Sequence, residues 1–276
     1  MTGDFSEAEL DRFARQIVLP EIGGRGQSRL RDSTASLIGV GGLGCPAALY
    51  LAAAGIGRLI LVDDDVVSRA NLHRQVLYTE ADVGEPKVDA AAARLQAVSP
   101  SLELDVRGVR LTDTNGEALC AEADIVLDGS DSFASRSATA RAAAAAGKPL
   151  LSGSVQGFEG QVTLFAPFDD ERRPCFSCLF DAGTAADALP SCAVNGVLGA
   201  MAGQIGTMMA VEAIKRLLGL GEDLNGTLLL VDGLAARIDR IAIGRRVGCT
   251  APAHTARASD DRPEVDSALA SATRRR

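Results

Sequence analysis

Ala35-Ser36-Leu37-Ile38-Gly39-Val40-Gly41-Gly42-Leu43-Gly44-Cys45-Pro46-Ala47-Ala48 passes from an apolar strand pattern, through four glycines, into a helical pattern. Glycines at such a junction permit a tight turn and let backbone N–H groups approach phosphate oxygens at a helix N-terminus. Asp63 closes the next strand-like run, nineteen residues beyond Gly44, where a carboxylate can bind ribose hydroxyls. A strand, a glycine loop, a helix and a second-strand carboxylate together predict a nucleotide-binding βαβ unit.

Working outward, strand-like runs lie at 35–40, 59–63, 102–109, 125–128 and 149–155, with helix-like segments at 46–54, 87–98, 116–122 and 135–146. That alternation predicts right-handed crossovers and a Rossmann-like, doubly wound, largely parallel α/β sheet. Beyond Gly160 the pattern changes to short strands at 161–165, 227–231 and 236–243, read as an antiparallel extension, with a long helix at 196–218 between them. Residues 4–32 have helical spacing and are expected to form an N-terminal helical segment that ends in a turn at Gly23-Gly24-Arg25-Gly26. The stretch 251–276, poor in large apolar residues from Ala256 onward, is expected to be a disordered tail.

The 276 residues are 47% hydrophobic and carry a net charge of −8, which argues against a broad nucleic-acid-binding face. His73 and His254 are the only histidines, so Ser–His or Cys–His catalysis has little material. Six cysteines do not resemble a disulfide framework, and without a signal-peptide pattern a cytoplasmic location is expected. Uncharged stretches at 33–57 and 188–211 are long enough to span a membrane, but buried strands and covering helices of an α/β core explain both, and no membrane association is expected.

A dinucleotide dehydrogenase would use the residues up to Asp63 and then need a proton donor near the nicotinamide. The chain offers instead Asp63-Asp64-Asp65, Asn71-Leu72-His73-Arg74-Gln75, Lys87, and the acidic pair Asp128 and Asp131 at the end of a strand. Strand C-termini share one edge of a doubly wound sheet, so these groups can converge over the glycine loop. Arginine and lysine there suit a triphosphate, and a carboxylate suits Mg²⁺.

Further motifs follow in a distinctive order: Arg12-x-x-Arg15-Gln16, the glycine loop, Asp63-x-Asp65, Asn71-x-x-Arg74-Gln75, Gly84-x-Pro86-Lys87, Asp131-x-x-x-x-Arg136, Gly157-x-x-Gly160-Gln161, Cys175-x-x-Cys178, Cys192 and Glu212-Ala-Ile-Lys215. Over residues 10–250 the chain resembles the ThiF/MoeB/HesA-type adenylyltransferases, prokaryotic relatives of ubiquitin-activating enzymes. The resemblance implies an adenylation domain at 33–250 that uses ATP to adenylate the C-terminal Gly-Gly carboxylate of a small ubiquitin-like sulfur carrier, as in thiamine or molybdopterin biosynthesis.

By that resemblance Gly39, Gly41, Gly42 and Gly44 hold the nucleotide, together with Asp63, Asp65, Gln75 and Ser132. Asn71, Arg74 and Lys87 take the phosphates, and Asp131 binds Mg²⁺. It also implies a homodimer in which Arg15 reaches the partner's ATP site, and, with no rhodanese-like stretch in the chain, a separate sulfur donor. Two positions depart from the family pattern: Ala70 stands where Ser is frequent, and Ser132 where Asn is frequent.

The family's structural zinc, expected to be remote from the phosphates, uses two Cys-x-x-Cys pairs. Here Cys175 and Cys178 form the first, but the partner position of Cys249 is Pro252. Either His254 completes a three-cysteine, one-histidine site, or the site is degraded and metal-free. Cys192 is either a covalent sulfur link to the carrier or a loop cysteine without chemistry, while Cys45 and Cys120 read as packing residues. The competing readings are adenylation of a peptide or tRNA, an NAD-dependent oxidoreductase on the same loop, and a non-catalytic nucleotide-binding scaffold.

Overall fold

In the computed structural model, which describes residues 5–180 and 196–254, five parallel strands form the centre of an eight-stranded sheet. They are β1 (Thr34–Ile38), β2 (Arg58–Val62), β3 (Glu103–Arg107), β4 (Ile125–Asp128) and β5 (Leu150–Gln156). The antiparallel β6 (Glu159–Phe165), β7 (Thr227–Asp232) and β8 (Arg237–Ala242) extend the sheet beyond β5, in the order β3-β2-β1-β4-β5-β6-β7-β8. The aliphatic residues of β1, β2 and β4 are almost wholly buried because helices cover both faces. The edge strand β8 alternates apolar residues with Arg237, Asp239 and Arg240 and stays largely exposed, a composition that discourages pairing with another sheet.

On one face lie α2 (Gly23–Arg31), α3 (Gly44–Ala54), α4 (Lys87–Val98) and the long α8 (Gly199–Leu218), which bury Leu30, Leu51, Leu95 and Ile205 in one core. On the other lie α5 (Gly116–Ala121), α6 (Phe133–Ala145) and the short α7 (Phe176–Leu179), around Leu119, Ala143 and Phe176. The helix α1 (Glu7–Ile17) opens the described chain with a capping box between Ser6 and Glu9. Among the described residues no helix is long and apolar enough to cross a membrane.

The expected turn at Gly23–Gly26 is instead the first turn of α2. Each glycine costs a helix about 1 kcal/mol of propensity, but α2 buries Leu30 and Gln27. The Gln27 side chain also donates to the Ala54 carbonyl at 2.9 Å and accepts from Gln16 at 2.9 Å. Tertiary burial outweighs local preference there. The remaining elements begin and end within a few residues of the expected bounds.

Candidate active site

Strand order reverses between β1 and β4, and connections leave these two strands toward opposite faces, which opens a crevice at their C-terminal ends. Two backbone turns meet in it. Gly39 has φ +88°, and a Cβ there would lie 3.0 Å from the Gly129 carbonyl carbon. A Cβ on Gly44 would collide with the Gly39 carbonyl oxygen. Only glycines let the loop after β1 close this tightly against the turn after β4. Leu43 caps α3 without a side-chain acceptor; the Cys45 amide donates to the Gly41 carbonyl at 2.9 Å and Pro46 has no N–H, so of the first turn the Gly44 amide is left for an anion.

A cavity of 720 Å³ occupies the crevice; Gly39, Gly41, Gly42, Asp63, Asp65, Asn71, Arg74, Gln75, Lys87, Asp131 and Ser132 line it, while Gly44 does not. Asp63 accepts from the Val40 amide at 2.7 Å and the Asp65 amide at 2.9 Å, tying the end of β2 to the glycine loop. Burial pushes its carboxyl above the ordinary carboxylate range, and Lys87 and the two amides counter part of that shift. Lys87 is buried at the start of α4 and reaches Asp65 Oδ2 at 2.8 Å. Arg74 donates to Asn71 Oδ1 at 2.7 Å, and a second guanidinium nitrogen lies 2.9 Å from His73 Nε2. Both cations are therefore held in place by partners that a phosphate can replace.

The two carboxylates after Leu127 have different environments. Asp128 is fully buried and accepts from the Ser130 amide at 3.1 Å and the Ser130 hydroxyl at 2.6 Å. Its other oxygen has no partner, and burial raises its carboxyl against the opposing influence of Arg136. Asp131 is exposed at the mouth of the cavity. Ser132 is the N-cap of α6, accepting from the Ser135 amide at 3.1 Å. Serine at this position thus fastens the helix that carries the Asp131 turn.

Sequence reasoning had not assigned His73, Ser130 or Arg136 to the site, yet all three line the cavity. Arg136 donates to the Ser130 carbonyl at 3.2 Å. Its signal was the five-residue spacing from Asp131, which puts it on the first turn of α6. Arg15, exposed in the last turn of α1, does not line this cavity. Cys192 lies outside the described residues.

Cys175, Cys178, Cys249 and His254 converge behind α6, with their ligand atoms all within 4.8 Å of one another. Cys175 Sγ lies 3.6 Å from Cys178 Sγ and 3.8 Å from Cys249 Sγ, and Cys178 Sγ lies 3.2 Å from His254 Nε2. A tetrahedron with Zn–S bonds of about 2.3 Å has S···S edges of about 3.8 Å. The 3₁₀ turn Pro252–His254 carries the histidine past the position at which Pro252 replaces a cysteine. Burial and the neighbouring thiols push the Cys175 thiol up to about 12, a penalty that a bound cation would remove. Cys45 and Cys120 are buried elsewhere, and burial pushes each thiol up to about 12.

The model of the ThiF family matches residues 13–251. The sulfur carrier protein adenylyltransferase of Thermus thermophilus is 44% identical over 247 residues, covering 89% of this chain and 91% of that protein. The SAMP-activating enzyme E1 of Haloferax volcanii is 39% identical over 249 residues, covering 90% and 91%. The adenylyltransferase and sulfurtransferase MOCS3 of Bos taurus is 43% identical over 241 residues, but this chain spans only 52% of its length. Among solved structures, E. coli MccB with ATP superposes with a TM-score of 0.76 at 20% identity, covering 87% of this chain and 74% of that one, and so shares the fold.

Proposed function

The chain belongs to the ThiF family, and from that premise we propose that it is an adenylyltransferase that uses ATP to adenylate the C-terminal glycine of a small ubiquitin-like sulfur carrier. The observation that carries this reading is the convergence of Arg74, Lys87 and Asp131 on one cavity whose opposite wall is the glycine loop and Asp63.

The carrier's terminal carboxylate attacks the α-phosphorus of ATP, forming an acyl–O–P bond as the bond to pyrophosphate breaks. The nucleophile is already ionised, so no general base is required. What the reaction needs is the approach of two anions, which positive charge and fixed positions make cheaper. The amides of residues 41–44 and the side chains of Arg74 and Lys87 cradle the phosphates, exchanging Asn71 and Asp65 for phosphate oxygens. Asp63 takes the ribose. Asp131 would hold Mg²⁺, which neutralises charge on the leaving pyrophosphate. The fit is good because Asp131 is an exposed carboxylate at the cavity mouth with no ion-pair partner among the described residues. Carriers of the thiamine or molybdopterin type and a homodimeric assembly complete the reading.

The test is exchange of labelled pyrophosphate into ATP with each candidate carrier. Exchange should require the carrier and vanish when its last glycine is deleted. Nicotinamide-dependent turnover with no exchange would overturn the proposal.

The cysteine–histidine cluster is proposed as a structural zinc site. Purified protein should carry about one zinc per chain, and Cys178→Ser should lose most of it. Metal analysis finding no zinc, in protein prepared without chelator, would mean that the four side chains are reduced thiols and a packed histidine.

A further inference from the structure

Asp131 lies two residues before Phe133, the first residue of α6. The Phe133 ring lies 5.9 Å from the Phe176 ring, tilted by 42°, and 6.4 Å from the Phe180 ring, edge-on at 76°. Phe176 is the hub of this group, 4.8 Å from Phe180 and 5.7 Å from Phe165 of β6. It is also the residue immediately after Cys175, on the short helix that ends beside Cys178. From the other side, the turn Pro252–His254 packs directly on α6. The four candidate ligands therefore draw two separate segments, α7 and the 252–254 turn, against the helix whose N-terminus carries the Asp131 turn. The fastenings within that turn, Ser132 to Ser135, Ser130 to Asp128 and Arg136 to Ser130, are all local. Phe133 is the aromatic tie from this turn to α7.

We infer that Phe133 is a positioning residue through which order at the Cys175–Cys178–Cys249–His254 cluster fixes the turn bearing Asp131, so that zinc held there tightens Mg²⁺–nucleotide binding in the cavity. The inference rests on the nucleotide site proposed above, and it couples to that site a cluster expected to be structural and remote from the phosphates. Aromatic pairs contribute beyond simple area burial because edge and face charges must meet in a fixed geometry. A leucine fills much of the same space without that directional constraint.

The test compares full-length wild type with Phe133→Leu, each zinc-loaded and zinc-stripped, by calorimetric binding of a non-hydrolysable ATP analogue with and without Mg²⁺. Zinc content and melting temperature are measured on every sample. Protein that purifies without zinc is titrated with Zn²⁺ alone. Stripping the wild type should weaken analogue binding about tenfold in the presence of Mg²⁺, and Phe133→Leu should do the same while keeping its zinc. Because Asp131 acts through Mg²⁺, affinity without Mg²⁺ should stay within about twofold in both cases. Stripping Phe133→Leu should add little, since the tie is already cut, and Phe133→Tyr, which retains the ring, should bind nearly as wild type.

Independent, multiplicative losses from the mutation and from stripping would overturn the inference. Equal losses with and without Mg²⁺ would do so too, as would wild-type affinity that ignores zinc or a protein that takes up no zinc. Wild-type carrier-dependent pyrophosphate exchange, measured alongside, separates this failure from failure of the proposed reaction. Normal exchange with no Mg²⁺-specific loss defeats only the coupling.

Discussion

Asp131→Asn is expected to lower carrier-dependent ATP–pyrophosphate exchange by about 10²–10³-fold while leaving the melting temperature nearly unchanged. The size follows from removing one preorganised charge from a site where charge stabilisation supplies much of the rate. The indifference of stability follows from exposure, since Asp131 is exposed and holds no ion-pair partner among the described residues. The adjacent carboxylate makes a useful contrast. Asp128 is fully buried and fixes Ser130 by two hydrogen bonds, so Asp128→Ala should lose stability as well as activity. Near-normal exchange by Asp131→Asn would remove the metal-binding assignment and with it the proposed arrangement of the triphosphate.

Arg15→Ala is expected to lose several orders of magnitude in exchange, as removal of an arginine finger does, and its defect should be repaired by a partner chain. In the homodimer proposed above, Arg15 would act on the partner's site, because α1 holds it far from the phosphates of its own chain. α1 is anchored by Phe13 against Gly55 and by Gln16, which donates to the Ala54 carbonyl, both at the C-terminal end of α3. The phosphate-binding end of α3 is one helix length away, about 16 Å at 1.5 Å per residue, and Arg15 does not line its own chain's cavity. Arg15→Ala and Asp131→Ala homodimers should each be nearly inactive. Mixed dimers would hold one site with both groups intact, so subunit exchange should restore up to about a quarter to a half of wild-type activity. If mass spectrometry shows mixed dimers and activity stays at background, Arg15 does not act across the interface.

Gly39, Gly41, Gly42, Asp63, Asn71, Arg74, Gln75 and Lys87 of the cavity were legible because each is tied to a local pattern, whereas His73, Ser130 and Arg136 were not. Glycines at 39, 41, 42 and 44 mark a strand-to-helix turn wherever they occur, and Lys87 opens a helix whose register is visible in its own sequence. Once the alternation of strands and helices is read, the shared C-terminal edge of a parallel sheet brings these distant residues together. The roles of Asp128 and Asp131 were less legible, because two carboxylates three residues apart look equivalent until the turn sends one into the core and the other to solvent.

By itself, the sequence determined the doubly wound core and the position of the nucleotide loop, through periodicity and glycine spacing that act over a few residues at a time. The resemblance of its motifs to the ThiF-type adenylyltransferases implied the cationic and acidic companions. Tertiary structure alone decided that Gly23–Gly26 is helical, because the burial of Gln27 and Leu30 by other elements outweighs glycine's preference for a turn. It also decided that His254 stands beside Cys178, seventy-six residues away in sequence, and that Phe133 meets Phe176. Such meetings depend on how separately formed elements pack and on where long connections close, and no local pattern encodes the distance between two side chains on different elements.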